Sequence, residues 1–316
     1  MDSMHSPEGN KFDDIRLDLD EAFRYASQLR EASNLKTSVR RSKIHNTLRL
    51  LRDGALVKGN LQEAVVTTGV SRQWFKEFQK FWTDFLDGRP LTVSDFLMLR
   101  FHYRIKFQKM EAMDWSSIDT HLQNWKQSEN FYLLFNGVFS SALRPYRNLN
   151  FLKSGKTYRI LEYGCSHAPY FRSWRNYFSH INAQWTLADI KNAASLFSLY
   201  SYKDIQEIEE FIILDSENVH NPFTHVNDPF DVVILTTVLE HVHNPQEVVS
   251  FLTENLRPGG FFVFDYIKST ASGLDTIQGL EGREETLRYI ADNYTIISGS
   301  FKDFDQSIDL CVGVRR

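Results

Sequence analysis

Cysteine is nearly missing from this chain of 316 residues: there are two, Cys165 and Cys311, far apart in sequence. Neither belongs to a C-x-x-C pair, which excludes a disulfide framework and a zinc site built on paired thiolates, and a reducing, cytoplasmic setting is expected. Long apolar runs are missing too. None approaches the roughly 20 residues that cross a bilayer, so no membrane partner is expected. No sign of charge dominates: the formal net charge is -4, and nothing in that balance argues for nucleic acid. There is no internal repeat and no low-complexity tract. Residues 1–11 are polar, lack the apolar centre of a secretion signal, and are expected to be disordered.

Apolar side chains are present in quantity, 42% of the whole, with an aromatic share of 14%. That suffices for the cores of one large or two ordinary domains. Residues 12–148 read as an all-helical domain. Ile15, Leu19, Phe23 and Ala26 recur at helical steps, and a second helix is expected over 39–52, with Ile44, Leu48 and Leu51 inward. The stretch 61–78, LQEAVVTTGVSRQWFKEF, has the pattern of a helix-turn-helix, with a glycine turn and Ser71 as cap. It keeps open a second function class, a DNA-binding regulator whose other half senses a ligand. An ordinary helical hairpin with a glycine turn is the favoured reading. Trp74, Phe78, Phe81, Trp82 and Phe85 then fall at helical spacing, and another helix is expected over 94–110. Most of these aromatics are expected to be core. Trp125, Tyr132 and Phe135, nearest the second half, are the candidates to line a substrate pocket.

Residues 149–316 alternate short strands with helices, which predicts a parallel α/β sheet. Strands are expected at 159–163, 184–189, 211–214, 230–235, 260–266, 295–301 and 307–314, the last two as an antiparallel pair. Helices are expected at 170–178, 193–202, 245–256 and 281–293. Ligands of such sheets bind at the carboxyl ends of the strands, where strand order reverses. Those ends carry Glu162, Gly164, Ser166 and His167; then Asp189; then Asp215 and Ser216; then Thr236 and Thr237, followed by Glu240 and His241. Gly164 can take a positive φ and lets a ligand approach the backbone. A dinucleotide oxidoreductase is the nearest rival, but it needs G-x-G-x-x-G after the first strand, and here the stretch is GCSHAP.

The loop LEYGCSHA, the acidic strand end in LADI, the segment LDSENV and the combination FDVVILTTVLEHVHNP…LRPGGFFVF together resemble the class I S-adenosylmethionine-dependent methyltransferases, over residues of about 150–316. The resemblance implies a Rossmann-like, seven-stranded, mostly parallel sheet with helices on both faces, and S-adenosyl-L-methionine as cofactor. It implies that Glu162, Gly164 and Ser166 shape the loop under the methionine part of the cofactor. Asp189 would accept from the ribose hydroxyls, Asp215 and Ser216 would meet the adenine, and Thr236 and Thr237 would stand beside the methyl. That family's loop carries more glycine; here Ser166 and Ala168 occupy such positions. The expected activity is methyl transfer to an oxygen or nitrogen of a small-molecule or glycan acceptor, with the helical half as lid and specificity module. His241 and His167 are the candidate bases. Tyr266, at the end of the fifth strand, is a further pocket candidate. No metal is expected, and the oligomeric state is left open.

Overall fold

The computed structural model describes residues 73–86, 90–108, 117–143, 146–215, 228–268 and 273–316, with Arg24 besides. The expected disordered start, the helix over 39–52, nearly all of the first helix and the turn of the helix-turn-helix pattern lie outside the described residues. The chain divides into two compact units: Met1–Lys109 with Phe131–Arg144, and Met110–Asn130 with Pro145–Arg316.

In the first unit the described helices are α1 (Gln73–Asp84) and α2 (Val93–Gln108). The next helix in the chain, α3 (Ile118–Asn124), belongs to the second unit, and α4 (Phe131–Leu143) returns to the first. Thr92 and Asp95 start α2 reciprocally: Asp95 N–H donates to Thr92 Oγ1 at 3.1 Å, and Thr92 N–H to Asp95 Oδ2 at 2.9 Å. The aromatic stripe of α1 faces inward. Trp74, Phe78, Phe81 and Trp82 are buried, as are Phe96 and Tyr103 of α2 and Phe131 and Phe135 of α4. The Phe135 ring lies 5.3 Å from Phe96 and 5.8 Å from Tyr103, centroid to centroid.

The second unit is built on one sheet. Its strands are β1 (Tyr158–Tyr163), β2 (Ala183–Ile190), β3 (Ile208–Leu214), β4 (Phe230–Leu235), β5 (Leu256–Tyr266), β6 (Tyr294–Ser298) and β7 (Ile308–Arg315). Their order across the sheet is β3-β2-β1-β4-β5-β7-β6. Strands β1 to β5 pair in parallel, and β7 runs antiparallel to both β5 and β6. This is the expected Rossmann-like, mostly parallel seven-stranded sheet. Helices α5 (Pro169–Ser173), α6 (Ala193–Tyr202), α7 (Pro245–Glu254), α8 (Ile277–Glu281) and α9 (Arg283–Asn293) connect the strands.

The two-residue period of β1 assigns its side chains to opposite faces. Leu161 and Tyr163 join Val233, Phe262 and Phe264 in a core closed by Val248 and Leu252 of α7. Ile160 joins Trp185, Leu187, Phe171 and Trp174 on the other face. Glu162 shares that second face and therefore meets α5. Several boundaries differ from expectation: β3 starts at Ile208 and not at 211, β6 stops at Ser298 and not at 301, and β5 starts at Leu256 and not at 260. LRPGG is the bulged start of β5 and not the end of a helix and a turn: Leu256 pairs with Phe230, and the register then shifts. Gly259, at φ +74, provides the bend, while Leu256 is fully buried. Among the described residues, no helix is long and apolar enough to cross a membrane.

Candidate functional site

Strand order reverses beside β1, with β2 on one side and β4 on the other. The loop that leaves β1 there is held by its own backbone. Gly164 and Cys165 N–H both donate to the Ala188 carbonyl, at 2.8 and 3.1 Å, and Ala168 N–H donates to Cys165 O at 2.6 Å. Ser166 N–H donates to Asp189 Oδ2 at 2.5 Å. At the start of α5, Glu162 Oε1 and Oε2 accept the Tyr170 and Phe171 N–H groups at 3.1 and 3.0 Å. The Gly164, Cys165, Ser166 and Ala168 amides of the loop are thus already bonded inside the protein. A pyrophosphate cradle requires such amides to be free, so this loop suits a ligand that approaches it by shape and by carboxylate contact.

Three positions of the turn are left-handed: Gly164 at φ 66, Ser166 at φ 48 and Ala168 at φ 51. The two residues that stand where the resembling family carries glycine therefore keep the glycine-like backbone. Gly164 is also a point of close approach. A Cβ there would lie 2.2 Å from Val238 Cγ2, on the loop after β4.

Burial sets the charge state of the carboxyls. Glu162 is pushed up to about 8 by burial, against the pull of its two backbone N–H bonds. Asp189 is pushed up to about 7 by burial, against the Ser166 bond. Asp189 does not cap α6; Asn192 does, accepting the Ala194 and Ser195 N–H groups at 2.9 and 3.0 Å. Asp215 stands exposed just beyond β3, and Ser216 lies outside the described residues.

After β4 the chain takes a strained turn. Thr237 has φ 56, unusual for a β-branched residue. Its N–H donates to Asp265 Oδ1, at the end of β5, at 2.5 Å. Thr236 hydrogen-bonds the Tyr170 hydroxyl, whose pKa burial raises. Asp265 is itself raised to about 6, first by burial. Such strain costs roughly 1–3 kcal/mol and collects at functional sites.

Next to this turn, three histidines and a tryptophan meet. Ser117 caps α3, its Oγ accepting the Thr120 N–H at 3.1 Å. The helix delivers His121, and Trp125 follows it. Trp125 Nε1 donates to His121 Nε2 at 3.1 Å, so the neutral His121 carries its proton on Nδ1. The Trp125 ring lies 5.5 Å from that of His241, and the His121 ring 5.1 Å from that of His243. His241 Nδ1 is 3.1 Å from Asp275 Oδ1 and 3.2 Å from the Leu274 carbonyl. Its Nε2 is 3.8 Å from Glu240 Oε1. Burial lowers His241, but Asp275 and Glu240 outweigh it and leave the group above its usual value. His121 falls to about 3, through burial and then the neighbouring histidines. Glu240 rises to about 7 through burial. Among the described residues, no three such groups converge as metal ligands.

The sheet unit therefore brings together Glu162, Gly164, Ser166 and Asp189 at the loop, and Thr236, Thr237, His241 and Trp125 around the turn after β4. His167 is next to the loop, 3.4 Å from Ser166 Oγ, and is lowered to about 3 by burial and by Arg172 and Arg147. Tyr266 is fully buried. Its hydroxyl donates to the Gly279 carbonyl, and the Arg283 guanidinium lies 5.1 Å from its ring centre. Tyr132 packs 5.1 Å from Phe107 in the helical unit, and Phe135 is in that unit's core. Sequence reasoning passed over Asp265, Asp275, His121 and Tyr170. Asp265 obeys the same strand-end rule that selected Asp189 and could have been found by it. Asp275 follows no such rule.

The profile of a family described as "Methyltransferase domain" matches residues 138–298. Among solved structures, the chain is similar to the N-methyltransferase NodS from Bradyrhizobium japonicum WM9, at 16% identity, with 57% of this chain and 95% of that one covered and a TM-score of 0.40. The same enzyme in complex with S-adenosyl-L-homocysteine aligns at 12% identity over 63% and 97%, with a TM-score of 0.41. An O-methyltransferase family protein from Burkholderia thailandensis aligns at 12% identity over 71% and 73%, with a TM-score of 0.42. No curated protein matches the chain.

Proposed function

Because this chain belongs to the class I S-adenosylmethionine-dependent methyltransferase family, by the domain matched over residues 138–298, we propose that it transfers a methyl group to an oxygen or nitrogen of a small-molecule or glycan acceptor. S-Adenosyl-L-methionine is the cofactor, and when bound it supplies an electrophilic methyl on a sulfonium. The observation that carries the reading is the bonded loop beside β1. Its Gly164, Cys165, Ser166 and Ala168 amides are consumed by Ala188, Asp189 and Cys165, and the Tyr170 and Phe171 amides of α5 by Glu162, which disfavours a pyrophosphate and leaves carboxylates at the strand ends for a nucleoside.

In this reading Asp189 holds the ribose hydroxyls, and Asp215 and Ser216 meet the adenine. Glu162 and Gly164 fix the loop beneath the amino-acid end, with Ser166 beside them. Thr236 and Thr237 border the reacting carbon. Holding acceptor and methyl in line is the main catalytic contribution, since charge disperses in the transition state. His241 receives the acceptor's proton. His167, held neutral by burial and by Arg172 and Arg147, stands at the loop instead. Trp125 borders the acceptor from α3's end. Calorimetry with S-adenosyl-L-methionine tests the proposal. Binding that is weakened at least tenfold by Asp189→Ala is expected; no heat with either protein would overturn it.

A further inference from the structure

We propose that the acceptor is a primary or secondary amine that enters as its ammonium ion, and that Asp275 positions His241 to take its proton. The inference deepens the methyltransferase reading and rests on it. Asp275 Oδ1 is 3.1 Å from His241 Nδ1. The segment that carries it is clamped to the same turn on its far side: Thr276 N–H donates to the Glu240 carbonyl at 2.9 Å, and Thr276 Oγ1 to the Val242 carbonyl at 2.9 Å. Asp275 and His241 therefore cannot drift apart without breaking two further bonds. With Nδ1–H pointed at Asp275, Nε2 is the nitrogen left to exchange a proton.

The groups around His241 are mostly carboxyls, anionic once the pH exceeds about 7, where Glu240 ionises. Asp275 and Glu240 flank it, and Asp265 acts on it from the end of β5. Glu240 is 2% exposed, and its Oε2 is buried with no hydrogen-bond partner. From α3 and its end come His121, neutral, and the Trp125 ring; His243 lies beyond His121. The Arg283 guanidinium, which feels the charge of Glu240, is bonded to the carbonyls of Tyr266, Phe304 and Gln306. A hydroxyl acceptor would build negative charge on oxygen among these carboxylates, which repel it. An ammonium is attracted by them, and the Trp125 face suits a cation as well. The balance is simple. One N–H proton passes to His241 Nε2, and the freed lone pair forms the new N–C bond. The carbon's bond to sulfur breaks with its electron pair kept on sulfur.

Benzylamine and benzyl alcohol, matched in shape, are suitable probes on the protein saturated with S-adenosyl-L-homocysteine, followed by ligand-observed NMR. Benzylamine is expected to bind at least tenfold more tightly than the alcohol. Glu240→Gln and Asp275→Asn should each weaken it at least threefold. In an NMR titration of the His241 ring, Asp275→Asn should lower the midpoint by about a unit, and Asp275→Glu should restore most of it; a merely structural role would move stability and leave the titration in place. Equal affinity, preference for the alcohol, binding of neither probe, or an unmoved His241 titration would overturn the inference. Failure of S-adenosyl-L-homocysteine to bind at all would instead sink the methyltransferase reading beneath it.

Discussion

Gly164→Ala should be the most damaging single-methyl change in the sheet unit. Two independent costs meet there. The backbone is at φ 66, and placing an L residue in the left-handed region costs roughly 1–2 kcal/mol. The added Cβ would also lie 2.2 Å from Val238 Cγ2, and overpacking of this kind costs about 1–3 kcal/mol. The sum, about 2–5 kcal/mol, is a large part of the 5–15 kcal/mol that holds a typical domain folded. Urea denaturation followed by circular dichroism measures it. Val238 is buried, so Val238→Ala alone should also destabilise. In the double variant Gly164→Ala/Val238→Ala, however, the clash is gone, and what remains is the backbone cost at residue 164 together with the packing lost by truncating Val238. The two changes should therefore be non-additive, with a favourable coupling of about 1–3 kcal/mol. Simple additivity, or a loss below about 1 kcal/mol for Gly164→Ala, would refute the close approach of the two loops.

Other outcomes follow from the same physics. Ser166→Gly removes a left-handed non-glycine residue and should raise stability by up to ~1 kcal/mol in the same assay while cofactor binding survives. Asp189 has a folded pKa near 7, above the unfolded value near 4, so the folded state binds the proton more tightly and stability falls as pH rises from 4 to 7. Asp189→Asn, which still accepts the Ser166 N–H, should remove that slope. Its stability relative to wild type should improve by about 2–4 kcal/mol between pH 4 and pH 8, whereas a constant gap would contradict the burial argument. Phe135→Ala, in the helical core, should cost about 3–5 kcal/mol yet leave the calorimetric titration with S-adenosyl-L-methionine intact where the protein is folded.

Much of the sheet was legible because each strand is a short apolar run whose polar end marks the ligand side. Glu162, Asp189 and the two threonines could be placed by that rule alone. The antiparallel last pair was legible from its short connection. LRPGG was misread because proline and glycine usually end a structure; here Gly259 bends a strand whose first residue, Leu256, is pinned in the core. Asp275 and His121 were illegible for a different reason. They reach His241 only through tertiary packing, from a loop and from a short helix that groups with the sheet, and no periodicity or spacing encodes such a meeting. Tyr266 looked like a pocket residue because it ends a strand, yet its neighbour Asp265 is the one that bonds the strained turn at Thr237.

The central claim is that the turn at Gly164 and the carboxylate of Asp189 hold an adenosyl ligand at the carboxyl ends of β1 and β2. A crystal structure grown with S-adenosyl-L-homocysteine tests this most directly. The account predicts the ribose against Asp189 and the amino-acid end over Gly164. The nucleoside found elsewhere, or a crevice in which Asp189 keeps only its bond to Ser166 at saturating ligand, would contradict it.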